Sequence, residues 1–213
     1  MNVGAGAGSY EPSQLTVYPV EPSWRMISQR SQERTRAIQG TAENLPLANA
    51  SIDAAMTVLS LHHWADWRRG LSEMRRVAPG LQLILTFDPV IHNSFWLIEE
   101  YIPEMAELTS NNPPSPEQIA DCLDADHVEI EVLAVPADCA DGVLPAFWAR
   151  PHAYLDPEVH AYSSSFSLVS DTAVSMGTRK LADDLTDGTW HQRHAEILGN
   201  ESLDCGFRLI AAR

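Results

Sequence analysis

The sequence predicts an α/β fold organised around a parallel sheet. Three observations predict it. Strand-like and helix-like segments alternate through the first half of the chain, as crossover connections between parallel strands require. Two apolar runs, Ile52 to Leu61 and Leu81 to Phe87, are nearly continuous, the pattern of strands covered on both faces. A run of alternating glycines, Val3-Gly4-Ala5-Gly6-Ala7-Gly8, ends the first apolar segment, where the chain of such a sheet turns.

In chain order, Leu15 to Glu21 reads as a strand and Pro22 to Arg30 as a helix with Trp24, Met26 and Ile27 as its apolar members. Arg36 to Gln39 is a short strand, and Ile52 to Leu61 a buried one. Trp64, Trp67, Leu71, Met74 and Val77 recur at helical spacing. Pro79 and Gly80 stop that helix. After the strand Leu81 to Phe87, Phe95, Ile98, Tyr101, Ile102 and Met105 mark a second amphipathic helix. Asn111 to Pro116 is a loop. Ser115, Pro116 and Gln118 form a capping box with proline in the first helical turn. Val128, Ile130 and Val132 share one face of a less buried strand, His127 to Val135, and Cys205 to Ala212 is the last strand. The stretch from Gly142 to Asn200 is too long for a loop. Asp156-Pro157-Glu158 starts a helix there and Gly188 and Gly199-Asn200 are stops, so two or three helices form a cap. The expected division is a core over 1–141, a helical insertion over 142–200, and a final core strand over 201–213.

Composition narrows the function. The 213 residues can bury one sizeable core, and 45% are hydrophobic. A formal net charge of −15 repels phosphate backbones and anionic lipid, so neither nucleic acid nor membrane is an expected partner. Cys122, Cys139 and Cys205 have no disulfide-framework or zinc-site spacing. With no basic and apolar leader at the N-terminus, the cytoplasm is the expected compartment.

The glycine run and one acid carry the chemistry. Glycines at alternate positions let backbone approach a ligand with no Cβ between. Glu21, seventeen residues after Gly4, stands at the end of the next strand. A carboxylate there can accept hydrogen bonds from both ribose hydroxyls of a nucleoside. A tight turn and a surface acid at a helix N-terminus are the plainer alternatives. A dinucleotide is disfavoured: Ser9 to Leu15, with Pro12 among them, leaves at most one helical turn where a pyrophosphate wants a full helix N-terminus.

Four runs in register, Val3 to Tyr10, Val20-Glu21-Pro22-Ser23, Gly40 to Leu47, and Ser51 to Ala55 followed by Leu59 to Trp64, resemble the successive motifs of class I S-adenosylmethionine-dependent methyltransferases, in particular the small-molecule group called type 11. The resemblance covers residues 2–88. It implies a Rossmann-like, mostly parallel sheet of about seven strands with an antiparallel last strand. It implies S-adenosylmethionine as cofactor, with Gly4, Ala5, Gly6 and Gly8 along its methionine end. Glu21 and Pro22 would lie at the ribose, Ala42 and Glu43 beside the adenine, and Leu59 under the sulfonium. The family usually has an acid where this chain has Asn2, and many members have Asp at Thr41; both changes point to weaker cofactor binding. The resemblance also implies a helix before the first strand, where this chain starts at Met1. From that we expect an apolar face buried in a homodimer and a pocket with low cofactor affinity; a misassigned start is the plainer explanation.

Methyl transfer needs positioning and sometimes a base. His62 and His63, at the carboxyl end of the fourth strand, are the candidate catalytic residues; capping and packing are the alternative. Trp148 and Tyr154 are the candidate acceptor contacts among the insertion's aromatics, which suit core packing equally well. Asp183, Asp184 and Asp187 suit a solvated helix end better than a metal site. Transfer of a methyl group to a small molecule is the leading expectation. A binding or scaffolding protein on the same fold, and a nucleotide-sugar or NAD enzyme, are the other two classes.

Overall fold

The computed structural model describes residues 1–108 and 113–213, so Asn111 and Asn112 of the expected loop lie outside the described residues. Two compact units are present. The first comprises residues 1–88, 114–132 and 208–213; the second comprises 89–113 and 133–207.

The first unit carries the sheet. Its strands are β1 (Asn2–Val3), β2 (Pro19–Glu21), β3 (Ile38–Gln39), β4 (Ala54–Val58), β5 (Leu81–Phe87), β6 (Val128–Val132) and β7 (Phe207–Ala212). They lie in the order β3-β2-β1-β4-β5-β7-β6. Strands β3, β2, β1, β4 and β5 pair in parallel, while β7 runs antiparallel to β6 with Ile130 opposite Ile210. Chain order reverses beside β1, between β2 and β4, and in such sheets ligands bind beyond the carboxyl ends of the strands at that place.

Local chemistry sets the boundaries. Helix α1 (Trp24–Ser28) starts where the Ser23 hydroxyl accepts the Met26 N–H at 3.3 Å. Strand β4 stops three residues earlier than its apolar run because Leu59 takes φ +49°, a left-handed conformation that ends the ladder. Helix α2 (Trp67–Val77) is capped by Asp66, whose carboxylate accepts the Arg69 N–H at 3.0 Å. It buries Leu71, Met74 and Val77 against the sheet, each such side chain contributing about 1.5–3 kcal/mol. Strand β5 buries Gln82, Ile84 and Thr86 on one face, while Leu81, Leu83 and Leu85 on the other are only partly covered. Helix α3 (Pro116–Cys122) has the full reciprocal capping box between Ser115 and Gln118. Strand β6 is an edge. Its Ile130 and Val132 are exposed, and Glu129 and Glu131 place charges along it, as edge strands that avoid further pairing do.

The second unit has its own aromatic core. Trp96 packs edge-on against Tyr101, Tyr154 and Trp190, with ring centroids 5.9, 5.4 and 5.2 Å away. Helix α4 (Asp171–Thr186) starts at a Ser170 cap, and Gly188, at φ +84°, follows its end. Its Gly177 lies on the Tyr101 carbonyl: an added Cβ would sit 2.4 Å from that oxygen. The segment expected to be one helix from Phe95 to Met105 is broken. Ile102 N–H reaches back five residues to the Leu97 carbonyl at 2.9 Å, and Pro103, with no N–H, ends that wide turn. The insertion, expected to hold two or three helices, holds the long α4 and three short α-helices, Pro157–His160, Ser164–Leu168 and Thr189–Arg193, beside 3₁₀ turns. The units also part at positions other than 141 and 200. Phe95, Trp96, Ile98, Tyr101 and Ile102 join the same core as Trp148, Tyr154 and Trp190, which gathers residues 89–113 into the second unit.

Candidate functional site

The glycine run forms a tight loop off β1. Gly4 and Ala5 donate their N–H groups to the Val20 carbonyl at 2.9 and 3.1 Å, which pins the loop to β2. Gly4, Gly6 and Gly8 all have positive φ, at +69°, +51° and +91°, where an L side chain costs roughly 1–2 kcal/mol. The space beside them differs. A Cβ on Gly4 would lie 1.7 Å from the Ser60 hydroxyl, and one on Gly8 2.9 Å from Arg34 Cδ and 3.1 Å from the Arg30 guanidinium. Beside Gly6 the nearest atom is the Met26 methyl at 3.4 Å, an ordinary contact. The outer glycines therefore make room for the chain's own side chains, while the space beside the middle one is open.

Glu21 ends β2 and is only 6% exposed. Its Oε2 accepts the Gly6 N–H at 2.8 Å and its Oε1 accepts the Ser23 N–H at 2.9 Å. An ionised carboxylate has about four acceptor positions, so roughly half remain for a further donor pair. The structure thus brings Glu21 and the glycine loop together. It gives the acid a role the spacing did not show, as a latch on the loop.

A second set of residues behind the loop escaped the sequence reading. Glu11 and Arg30 form an ion pair at 2.6 Å with both side chains 4% exposed. Arg30 also donates to the Gly6 and Thr35 carbonyls, each at 3.1 Å, and the Asn2 amide donates to Glu11 at 3.3 Å. No periodicity or motif could have announced this pair, because its partners come from two irregular segments.

Ala42 and Glu43 lie in the turn after β3. The Ala42 methyl packs into the core of the first unit. Glu43 is half-buried and accepts the Asp66 N–H at 3.2 Å, while its carbonyl accepts from Arg69 at 2.8 Å. Burial pushes the Glu43 carboxyl up; hydrogen bonds from its own backbone, Asp66, Thr41 and Ala65 outweigh that and hold it below the usual carboxylate range. Its side chain is thereby engaged at the start of α2.

Beyond β4, the left-handed Leu59 turns the chain into a short 3₁₀ segment, Leu61–His63. Ser60 accepts from the Trp64 indole at 3.1 Å, which fixes the hydroxyl that lies against Gly4. His62 and His63 are both exposed, with ring centroids 3.9 Å apart, and His62 lies 5.2 Å from Phe87. Desolvation lowers the His63 pKa while the nearby Glu21 charge raises it, with a net fall. His63 therefore shares the electrostatic neighbourhood of the loop and its acid.

Trp148 and Tyr154 are elsewhere. Both are fully buried in the second unit, at 0% and 1% exposure, with the Trp148 indole on the Val135 carbonyl at 2.9 Å and the Tyr154 hydroxyl on the Leu144 carbonyl at 2.7 Å. Their polar tips are used inside the core, so these side chains build the second unit rather than offer a surface to an acceptor. Asp184 accepts the Tyr101 hydroxyl at 2.8 Å and pairs with Arg193 at 3.4 Å, and Asp187 accepts the Thr189 N–H at 2.8 Å. Among the described residues no group of three or more His, Cys, Asp or Glu side chains has the arrangement of a metal site. No helix among them is long and apolar enough to cross a membrane.

Known proteins share this frame. The family model described as a methyltransferase domain matches residues 1–84. A crystal structure from Anabaena variabilis, described as a methyltransferase from an antibiotic biosynthesis pathway, is 32% identical, covers 100% of this chain and 89% of that one, and superimposes with a TM-score of 0.90. A Thermotoga maritima protein described as an S-adenosylmethionine-dependent methyltransferase shares the fold at 18% identity, a TM-score of 0.58, and coverage of 99% of this chain and 79% of that one. The demethylmenaquinone methyltransferase of Corynebacterium urealyticum is 30% identical over 131 residues, which is 57% of this chain and 57% of that protein. The match spans about half the length of the curated relatives, from 41% to 57%.

Proposed function

Because the chain belongs to the class I S-adenosylmethionine-dependent methyltransferases, we propose that it transfers a methyl group from S-adenosylmethionine to a small-molecule acceptor. The observation that carries this reading is the Glu21 carboxylate. It is held 2.8 Å from the Gly6 amide, at the strand-order reversal, with acceptor capacity left over. A ribose with two adjacent hydroxyls suits that capacity. Gly4 to Gly8 would line the amino-acid end, and the turn at Ala42 and Glu43 would flank the base.

The cofactor supplies an activated methyl on a sulfonium, so the chain's share is placement, exclusion of water and, for some acceptors, removal of a proton. His63 fits the last task. Its lowered pKa leaves the ring neutral at pH 7 and free to accept a proton, and the Glu21 charge favours the imidazolium that results. His62 is the second candidate. A small acceptor suits the net charge of −15, which repels nucleic acid. The chain is expected to form a homodimer, which light scattering would measure.

Incubation with S-adenosylmethionine carrying a radiolabelled methyl, against a panel of small hydroxyl, amine and activated-carbon acceptors, tests the proposal. Label in an acceptor supports it. Label in none of a broad panel, with cofactor bound, opposes it.

A further inference from the structure

We propose that Arg30, held in place by Glu11, is the positioning residue of the cofactor loop, and that Asn2 is neutral because Glu11 supplies the negative charge there. The proposal rests on the cofactor reading above and concerns how the loop is held ready for its ligand.

Gly6 is gripped on both sides of one residue. Its N–H goes to Glu21 at 2.8 Å, and its carbonyl accepts from Arg30 at 3.1 Å. Between them these bonds fix the orientation of the peptides that flank Gly6, the glycine with open space at its Cβ position. Arg30 has little freedom of its own. One guanidinium nitrogen binds Glu11 at 2.6 Å and the Thr35 carbonyl at 3.1 Å, while the other binds Gly6. Gly8 completes the arrangement, since a Cβ there would sit 3.1 Å from both terminal nitrogens of Arg30.

The charge arithmetic explains Asn2. A buried guanidinium needs a buried anion, and Glu11 provides it. Asn2 donates its amide to that same carboxylate at 3.3 Å. An acid at position 2 would place a second negative charge at hydrogen-bond distance from Glu11, with Arg30 and the more exposed Arg34, 3.9 Å from Glu11, as the cations in reach. The amide makes the contact without the repulsion. Asn2, Glu11, Arg30, Gly6 and Glu21 thus form one continuous chain of hydrogen bonds from β1 to β2.

The test is calorimetric binding of S-adenosylhomocysteine, with the unliganded thermal midpoint recorded for each variant. Arg30→Lys keeps the charge beside Glu11 but loses the fork that reaches Gly6 as well. The double variant Glu11→Leu with Arg30→Met replaces the ion pair by apolar groups of similar volume, a change that often leaves stability intact. Both variants are expected to bind about ten- to a hundredfold more weakly than the native chain, each titrated well below its own thermal midpoint. Affinity unchanged in either folded variant overturns the proposal while leaving the cofactor reading in place. A native chain that binds no S-adenosylhomocysteine overturns both. In turnover, a positioning role raises KM for the cofactor and leaves kcat nearly unchanged; a merely structural role moves the midpoint and neither constant.

Discussion

A single 2.8 Å hydrogen bond joins the Gly6 amide to the Glu21 carboxylate, closing the glycine loop onto the acid that ends β2. The two residues are fifteen apart in sequence, and neither needs a ligand to find the other. The acid is thereby desolvated and oriented before any cofactor arrives, which lowers the cost of binding one.

Glu21→Gln keeps the shape of the side chain and removes its charge and one acceptor oxygen. Bonds to a charged acceptor contribute about 1.5–3 kcal/mol. S-adenosylhomocysteine affinity is therefore expected to fall about ten- to a hundredfold, as titration calorimetry would register. Unchanged affinity would move the ribose site elsewhere.

Gly4→Ala meets two separate obstacles, a φ of +69° and a Ser60 hydroxyl 1.7 Å from the new methyl. We expect a loss of about 2 kcal/mol or more in denaturant unfolding. Adding Ser60→Gly is expected to recover the steric part and leave roughly 1–2 kcal/mol of backbone strain. Full recovery would show that only the collision mattered.

His92 sets a pH dependence in the second unit. Burial lowers its pKa to about 4, partly offset by a hydrogen bond with the Cys205 backbone. A depressed histidine is protonated earlier in the unfolded chain, so that chain binds more protons and stability rises with pH. The loss on acidification is expected between about pH 6.5 and pH 4 and to reach about 3 kcal/mol. His92→Gln should flatten that part of the stability profile; an unaltered slope would assign it to other groups.

His63→Gln tests the base. If His63 takes a proton from the acceptor, kcat/KM is expected to fall about a hundredfold or more and the acidic limb of the pH–rate profile to vanish. His62→Gln should keep that limb. The reverse result would exchange the two roles.

Tyr154→Phe removes the hydroxyl that donates to the Leu144 carbonyl at 2.7 Å and accepts the Phe147 N–H at 3.3 Å. The expected result is a loss of about 1–3 kcal/mol in stability with KM for the acceptor unchanged. A raised acceptor KM at native stability would return Tyr154 to the pocket.

The parts of the fold that were legible in the sequence are those governed by local rules. Strand β5 stands where its apolar run lies, and α3 begins at its capping box. Glu21 beside the glycine loop followed from spacing along two parallel strands. Long-range contacts were not legible. Leu59 looks like any strand leucine until its φ is known. Glu11 and Arg30 meet through loops whose path no pattern encodes. The aromatics of the insertion were ambiguous for a physical reason: Trp148 and Tyr154 have the same apolar body and polar tip whether they line a pocket or satisfy a carbonyl inside a core.

Thermal unfolding of the native chain, with S-adenosylhomocysteine, with NAD and with neither, tests the central claim most directly. Ligand at a hundred times its dissociation constant adds about 2.7 kcal/mol. The account predicts a raised midpoint with S-adenosylhomocysteine alone, with the stabilisation cut in Glu21→Gln to about 0.4–1.4 kcal/mol at the same ligand concentration. A shift with NAD, or none with either ligand, would contradict it.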